Sequence, residues 1–61
     1  MIMKRYLMIV QGKICIKTTT ANLNQGDIVH DAWTKIDEYI TGRIEKIIKI
    51  DLLFTLQNDL Q

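Results

Sequence analysis

Asn24-Gln25-Gly26-Asp27-Ile28-Val29-His30-Asp31-Ala32-Trp33-Thr34-Lys35-Ile36-Asp37-Glu38-Tyr39-Ile40-Thr41-Gly42 is the stretch on which the fold of this 61-residue chain turns. Its apolar residues Ile28, Val29, Ala32, Trp33, Ile36, Tyr39 and Ile40 recur in steps of three and four. That spacing lays one apolar stripe along a helix. His30, Asp31, Thr34, Lys35, Asp37, Glu38 and Thr41 fill the other side, with Asp31 and Lys35 in the favoured i,i+4 order. Asn22 or Asn24 can cap the first turn, and Gln25 or Asp27 three residues on can complete a capping box. Gly42 suits the position just past a helix end. The segment predicts a helix over roughly 24–41, with Trp33 in the core.

Outward from this helix the chain reads as strand. Lys4 to Gln11 is rich in β-branched, aromatic and other apolar residues, and Lys13 to Thr20 alternates between apolar and polar. Gln11-Gly12 between them suits a two-residue hairpin turn, because Gly supplies positive φ. That turn places Val10 opposite Lys13, Ile9 opposite Ile14, Met8 opposite Cys15 and Leu7 opposite Ile16. One hairpin face then carries Leu7, Ile9, Ile14 and Ile16 and reads as core. The other carries Tyr6, Met8, Val10, Lys13, Cys15 and Lys17. After Gly42 the even positions from Ile44 to Leu56 are apolar except for Lys46, a period of two. A third strand over roughly 43–56 follows, with a tail over 57–61. Asp51 is the place for a bend, a bulge or the start of a short helix carrying Leu52, Leu53, Leu56 and Leu60.

These elements predict one α+β domain, β-β-α-β. Its three-stranded mixed sheet has order 2-1-3 with a right-handed crossover, and the helix packs on one face. The two-sided apolarity of the first strand places it in the centre.

Composition narrows the function. The chain is 48% hydrophobic with three Gly and no Pro, so it is not a disordered segment. One cysteine, Cys15, excludes an internal disulfide and suggests a reducing, cytoplasmic setting. The apolar run Tyr6–Val10 is too short for a signal sequence or a membrane span, so no membrane partner is expected. Residues 1–20 hold Lys4, Arg5, Lys13 and Lys17 without an acid (+4). Residues 21–42 hold Asp27, Asp31, Asp37 and Glu38 against Lys35 (−3), and 43–61 balance, which sums to the net +1.

No zinc spacing, phosphate loop or dinucleotide fingerprint is present, so neither metal nor cofactor is expected. Cys15 and His30 would make a nucleophile pair only if they met. The expected fold keeps them apart, on the open sheet face and the outer side of the helix. The carboxylates read as a solvated helix face, and the chain as a non-enzyme.

The sheet face away from the helix is the expected binding surface. Tyr6, Met8, Val10 and Cys15, with Ile47 and Leu53, form an apolar strip there. Lys13, Lys17, Lys49 and Arg43 surround it, with Glu45 and Asp51 among them. An exposed strip of that kind marks an interface. The expected partner is a second copy, another protein, or both. The alternative is nucleic acid, with bases stacked on Tyr6 and phosphates on the lysines. The order of elements resembles the small β-β-α-β proteins common in bacteriophages and other mobile elements. That resemblance implies a protein that acts by occluding a partner's surface, for example as an inhibitor of host defence machinery.

Overall fold

Gln11 and Gly12 both take positive φ, 53° and 73°. That is the backbone of the mirror-image turn whose twist matches two paired strands. In this computed structural model, which describes residues 2–36 and 38–54, the turn joins β1 (Ile2–Val10) to β2 (Lys13–Thr19). The register is the one the turn dictates: Val10↔Lys13, Ile9↔Ile14, Met8↔Cys15 and Leu7↔Ile16. β3 (Ile28–Thr34) and β4 (Tyr39–Phe54) complete the secondary structure. β4 runs antiparallel to the far edge of β1, so β2-β1-β4 is the central order. β3 bridges β2 and β4, and the sheet closes into a small antiparallel barrel. Positions 55–61, where the third strand was expected to end in a tail, lie outside the described residues.

The α+β expectation is therefore overturned: no helix occurs among the described residues, and the expected helix over 24–41 is a turn followed by a hairpin. The reason lies in one bulge. Val29 and Ala32 both point inward and pair with Gly42 and Ile40. Three steps on β3 thus match two on β4, so one residue is extra. Asp31 absorbs the extra step at φ 54°, and its N–H donates to Thr41 Oγ1 at 3.0 Å. A bulged strand produces the same three-residue spacing that a helical stripe shows. The capping signals also serve a different end. Asp27 N–H donates to the Asn24 carbonyl at 3.0 Å, Asn24 N–H donates to Asp27 Oδ2 at 2.8 Å, and Gly26 takes φ 95°. These are the bonds of a β-turn with glycine at its third position.

Gly42 is likewise no helix terminator. It lies within β4 opposite Val29, where an added Cβ would stand 3.1 Å from Val10 Cγ1. The missing side chain lets β4 pass close over β1. β4 serves two neighbours in turn, pairing with β3 up to Arg43 and with β1 from Ile44. Register shifts against β1 leave Glu45 and Ile48 as extra residues, and such bulges bend a strand and tighten its twist.

The barrel interior holds Tyr6, Met8, Val10, Cys15, Val29, Ala32, Ile40 and Ile44, with Thr34 as its buried polar residue. This is the opposite face of the hairpin from the one the sequence assigned to the core. Leu7, Ile9, Ile14 and Ile16 lie outside, and so does Trp33, expected in the core but 39% exposed. Strand pairing supplies the reason. Ile16 stands opposite Trp33, and Trp33 opposite Tyr39, so these three share a face. A four-stranded barrel has no room for two aromatic rings and four large aliphatic side chains. The alternative face offers Cys15, Ala32 and Thr34 at the narrow β2–β3 contact, and close packing selects it.

The bulge can be tested at Asp31, where only a positive φ makes a β-branched residue costly. In a helix interior Asp31→Gly and Asp31→Val would each cost no more than a few tenths of a kcal/mol, because Asp is itself among the poorer helix formers. Here Asp31→Gly leaves stability within about 0.5 kcal/mol, because glycine adopts positive φ freely. Asp31→Val should lose about 1–2 kcal/mol, since a β-branched residue is strained at that φ. Urea unfolding of the two variants decides the matter.

Candidate interaction surface

The residues expected to bind a partner do not form one surface. Tyr6, Met8, Val10 and Cys15 are at most 2% exposed and line the barrel interior, and Ile47 packs against them half-buried. They are the core of the domain, so the open sheet face expected from the sequence does not exist. Lys13 is exposed beside the β1–β2 turn, and its Nζ lies 3.6 Å from Glu38 Oε2. Lys17 is half-buried on β2, opposite Tyr6. Lys49 is exposed on β4 with its Nζ 3.6 Å from Asp51 Oδ1. These exposed ion pairs contribute at most about 1 kcal/mol each.

Tyr6 fastens the long β2–β3 connection to the barrel. Its hydroxyl donates to the Ala21 carbonyl and accepts from Leu23 N–H, both at 3.1 Å. The ring is buried while the oxygen bridges two backbone groups of a segment that has no strand partner. Leu23 is thereby held against the core. Thr34 does similar work at the β3–β4 turn: its N–H and its Oγ1 both donate to the Glu38 carbonyl, at 2.9 and 3.1 Å.

Cys15 is sealed inside, and burial pushes its thiol above the ordinary value, a backbone hydrogen bond with Val10 partly opposing this. His30 is exposed on β3, so the two residues that could have paired are on opposite sides of the barrel wall. The carboxylates Asp27, Asp31 and Glu38 are exposed on the turn, the bulge and the second hairpin, not on a helix face. Among the described residues there is no pocket and no cluster of three potential metal ligands. No helix among them is long and apolar enough to cross a membrane.

The apolar surface is on the outside of the barrel. Leu7, Ile16, Trp33 and Tyr39 stand opposite one another in successive pairs across all four strands. Ile9 and Ile14 form a second pair beside them, with Ile14 51% exposed and Tyr39 66%. On the β4 side the same rows end in Lys49, opposite Leu7, and Lys46, opposite Ile9. The result is an aliphatic and aromatic band with a lysine border. The signal for it was present in β1, where both faces are apolar, and in the isoleucines that alternate with polar residues along β2. Choosing between the faces required the pairing of Trp33.

Two measurements check the interior. Tyr6→Phe leaves the Ala21 carbonyl and Leu23 N–H without their partner and should lower stability by about 1–2 kcal/mol in denaturant melts. Cys15 should resist an alkylating reagent in native buffer and react fully once unfolded. The native thiol holds its proton to higher pH than the unfolded one, so stability should fall as pH rises through the ordinary thiol range. Below that range Cys15 adds no pH dependence. Compared with known proteins, the chain matches no family model, no curated protein and no solved structure.

Proposed function

We propose that this chain is a non-enzymatic protein-interaction module, assembled from two copies, that acts by covering a partner's surface. The observation that carries this reading is the outer apolar band. Leu7, Ile16, Trp33 and Tyr39 run unbroken across four strands, with Ile9 and Ile14 beside them. A small barrel that turns a tryptophan and a tyrosine outward carries hydrophobic area that no described part of the chain covers, and such area marks an interface. Aromatic residues are enriched in protein interfaces and charges lie at their rims; here Trp33 and Tyr39 stand at one end of the row and lysines at the other. Lys49, expected from the sequence to contact a partner, and Lys46, which was not, take the border position. A reducing cytoplasmic setting belongs to the same proposal, on the strength of the lone free thiol of Cys15. The phage-type resemblance rested on the β-β-α-β order, which the fold replaces, and host inhibition is not carried forward.

A second reading is favoured by one feature. Tyr6 is buried and cannot stack on a base, but Trp33 and Tyr39 stand side by side on the surface and could. The experiment compares wild type with Ile14→Asp, a substitution at an exposed position that should leave the circular dichroism spectrum unchanged. Proteins from the native host that wild type retains and Ile14→Asp loses are the expected result. Equal capture by both would sink the reading. Retention of a single-stranded oligonucleotide that weakens steeply with salt and vanishes in Trp33→Ala would move the function to nucleic acid.

A further inference from the structure

β4 has a long edge with no strand beside it. β3 occupies that edge as far as Arg43, and the Gly26–Asp27 turn extends the occupation to Ile44 through Gly26 N–H to the Ile44 carbonyl and Ile44 N–H to the Asp27 carbonyl, both 2.8 Å. From Glu45 to Phe54 β4 pairs with β1 on one side, and among the described residues with no strand on the other. Ile48, Ile50 and Leu52 in this stretch are 45%, 49% and 58% exposed. A free apolar edge of this length is a template for strand addition.

We propose that the edge pairs with the same edge of a second copy, antiparallel about a two-fold axis at Ile50, making one continuous sheet through two barrels. The register follows from symmetry and charge. A two-fold axis normal to the sheet carries each hydrogen-bonded pair onto a hydrogen-bonded pair, so some residue must face its own copy. An axis at Lys49 or Asp51 sets a like charge against itself. An axis at Ile48 sets Glu45 against Asp51. An axis at Ile47 runs the second strand into the edge already held by β3 and the Gly26–Asp27 turn. An axis at Ile50 uses 46–54 throughout. It sets Lys49 against Asp51 of the second copy twice over, Ile48 against Leu52, and Ile50 against itself. The three most exposed aliphatic residues of the edge then meet across the pair, Ile50 and Leu52 from the face of Tyr6 and Lys4, and opposite charges meet on the face of Leu7 and Arg5. Lysine alone would protect an edge from pairing. Lys49 followed two residues later by Asp51 does the reverse, because a second copy presents the complementary order.

Self-pairing at β4 presupposes the two-copy assembly proposed above but not the apolar outer band, and the experiment separates them. Facing residues in an antiparallel pair have Cα atoms about 4.5–5.5 Å apart, within disulfide range. Under mild oxidation Ile50→Cys should form a disulfide-linked dimer. Leu52→Cys should do so at least roughly tenfold more slowly, and the double variant Ile48→Cys/Leu52→Cys should cross-link again. Wild type, with Cys15 sealed inside, should not cross-link. Lys49→Asp, which creates two like-charge contacts per dimer, should raise the dimer dissociation constant roughly tenfold by sedimentation. Wild type that sediments as a monomer at every concentration would overturn the pairing, as would Leu52→Cys cross-linking as fast as Ile50→Cys. Introducing Ile14→Asp should leave the Ile50→Cys cross-link intact. If it abolishes dimers instead, the copies meet through the outer band. The strand pairing then fails while the interaction-module reading stands.

Discussion

The narrowness of the barrel governs the rest of this structure. Four strands closed on themselves enclose little more than one layer of side chains, and each inward position must fit its neighbours. Cys15 and Thr34 face each other where β2 and β3 touch, Ala32 lies next along β3, and Gly42 carries no side chain where β4 crosses Val10. Larger residues enter only where those small ones leave room, as Tyr6, Met8 and Ile44 do. Everything that does not fit is expelled: Trp33, Tyr39 and the isoleucines of β2 are outside because of volume, not polarity.

Expulsion links the core to the proposed function. Most small domains hide their aromatic residues because burial is their main source of stability. Here the closed wall admits one aromatic ring, Tyr6, beside small and medium side chains, and the outer surface inherits the hydrophobic excess. The exposed edge of β4 has a related origin. Its bulges at Glu45 and Ile48 let one strand turn from β3 to β1, and beyond that turn one edge of the strand has no neighbour among the described residues. The outer band and the free edge are both consequences of closing a barrel with so few strands.

Much of the β1–β2 hairpin could be read directly. Gln11-Gly12 imposes a mirror-image turn, and a two-residue turn allows one register, so the pairs from Val10↔Lys13 to Leu7↔Ile16 follow from local chemistry alone. The antiparallel placement of the last strand against β1 was expected from a helical crossover, which the fold replaces with β3. The segment from Asn24 to Gly42 could not be read this way. Its Asn, Gly and Asp residues suit a cap or a turn equally well, and the bulge at Asp31 turns a period of two into a step of three. Its β-branched and aromatic residues, Ile28, Val29, Trp33, Ile36, Tyr39 and Ile40, favoured strand, but propensity is weaker evidence than apparent period.

What the sequence by itself determined is the local geometry: one hairpin with its register, a final strand of period two, and two apolar faces on β1. Which face is inside was decided by tertiary structure. That choice depends on which residues of β3 lie against β2, and on whether an enclosed space admits Trp33 or Ala32. Neither is a property of any single segment. The expected binding residues Tyr6, Met8, Val10 and Cys15 became the core for that reason, and the expected core of Leu7, Ile9, Ile14 and Ile16 became the surface. Alternation along a strand separates two faces, but only the volume enclosed by the other strands assigns one of them to the interior.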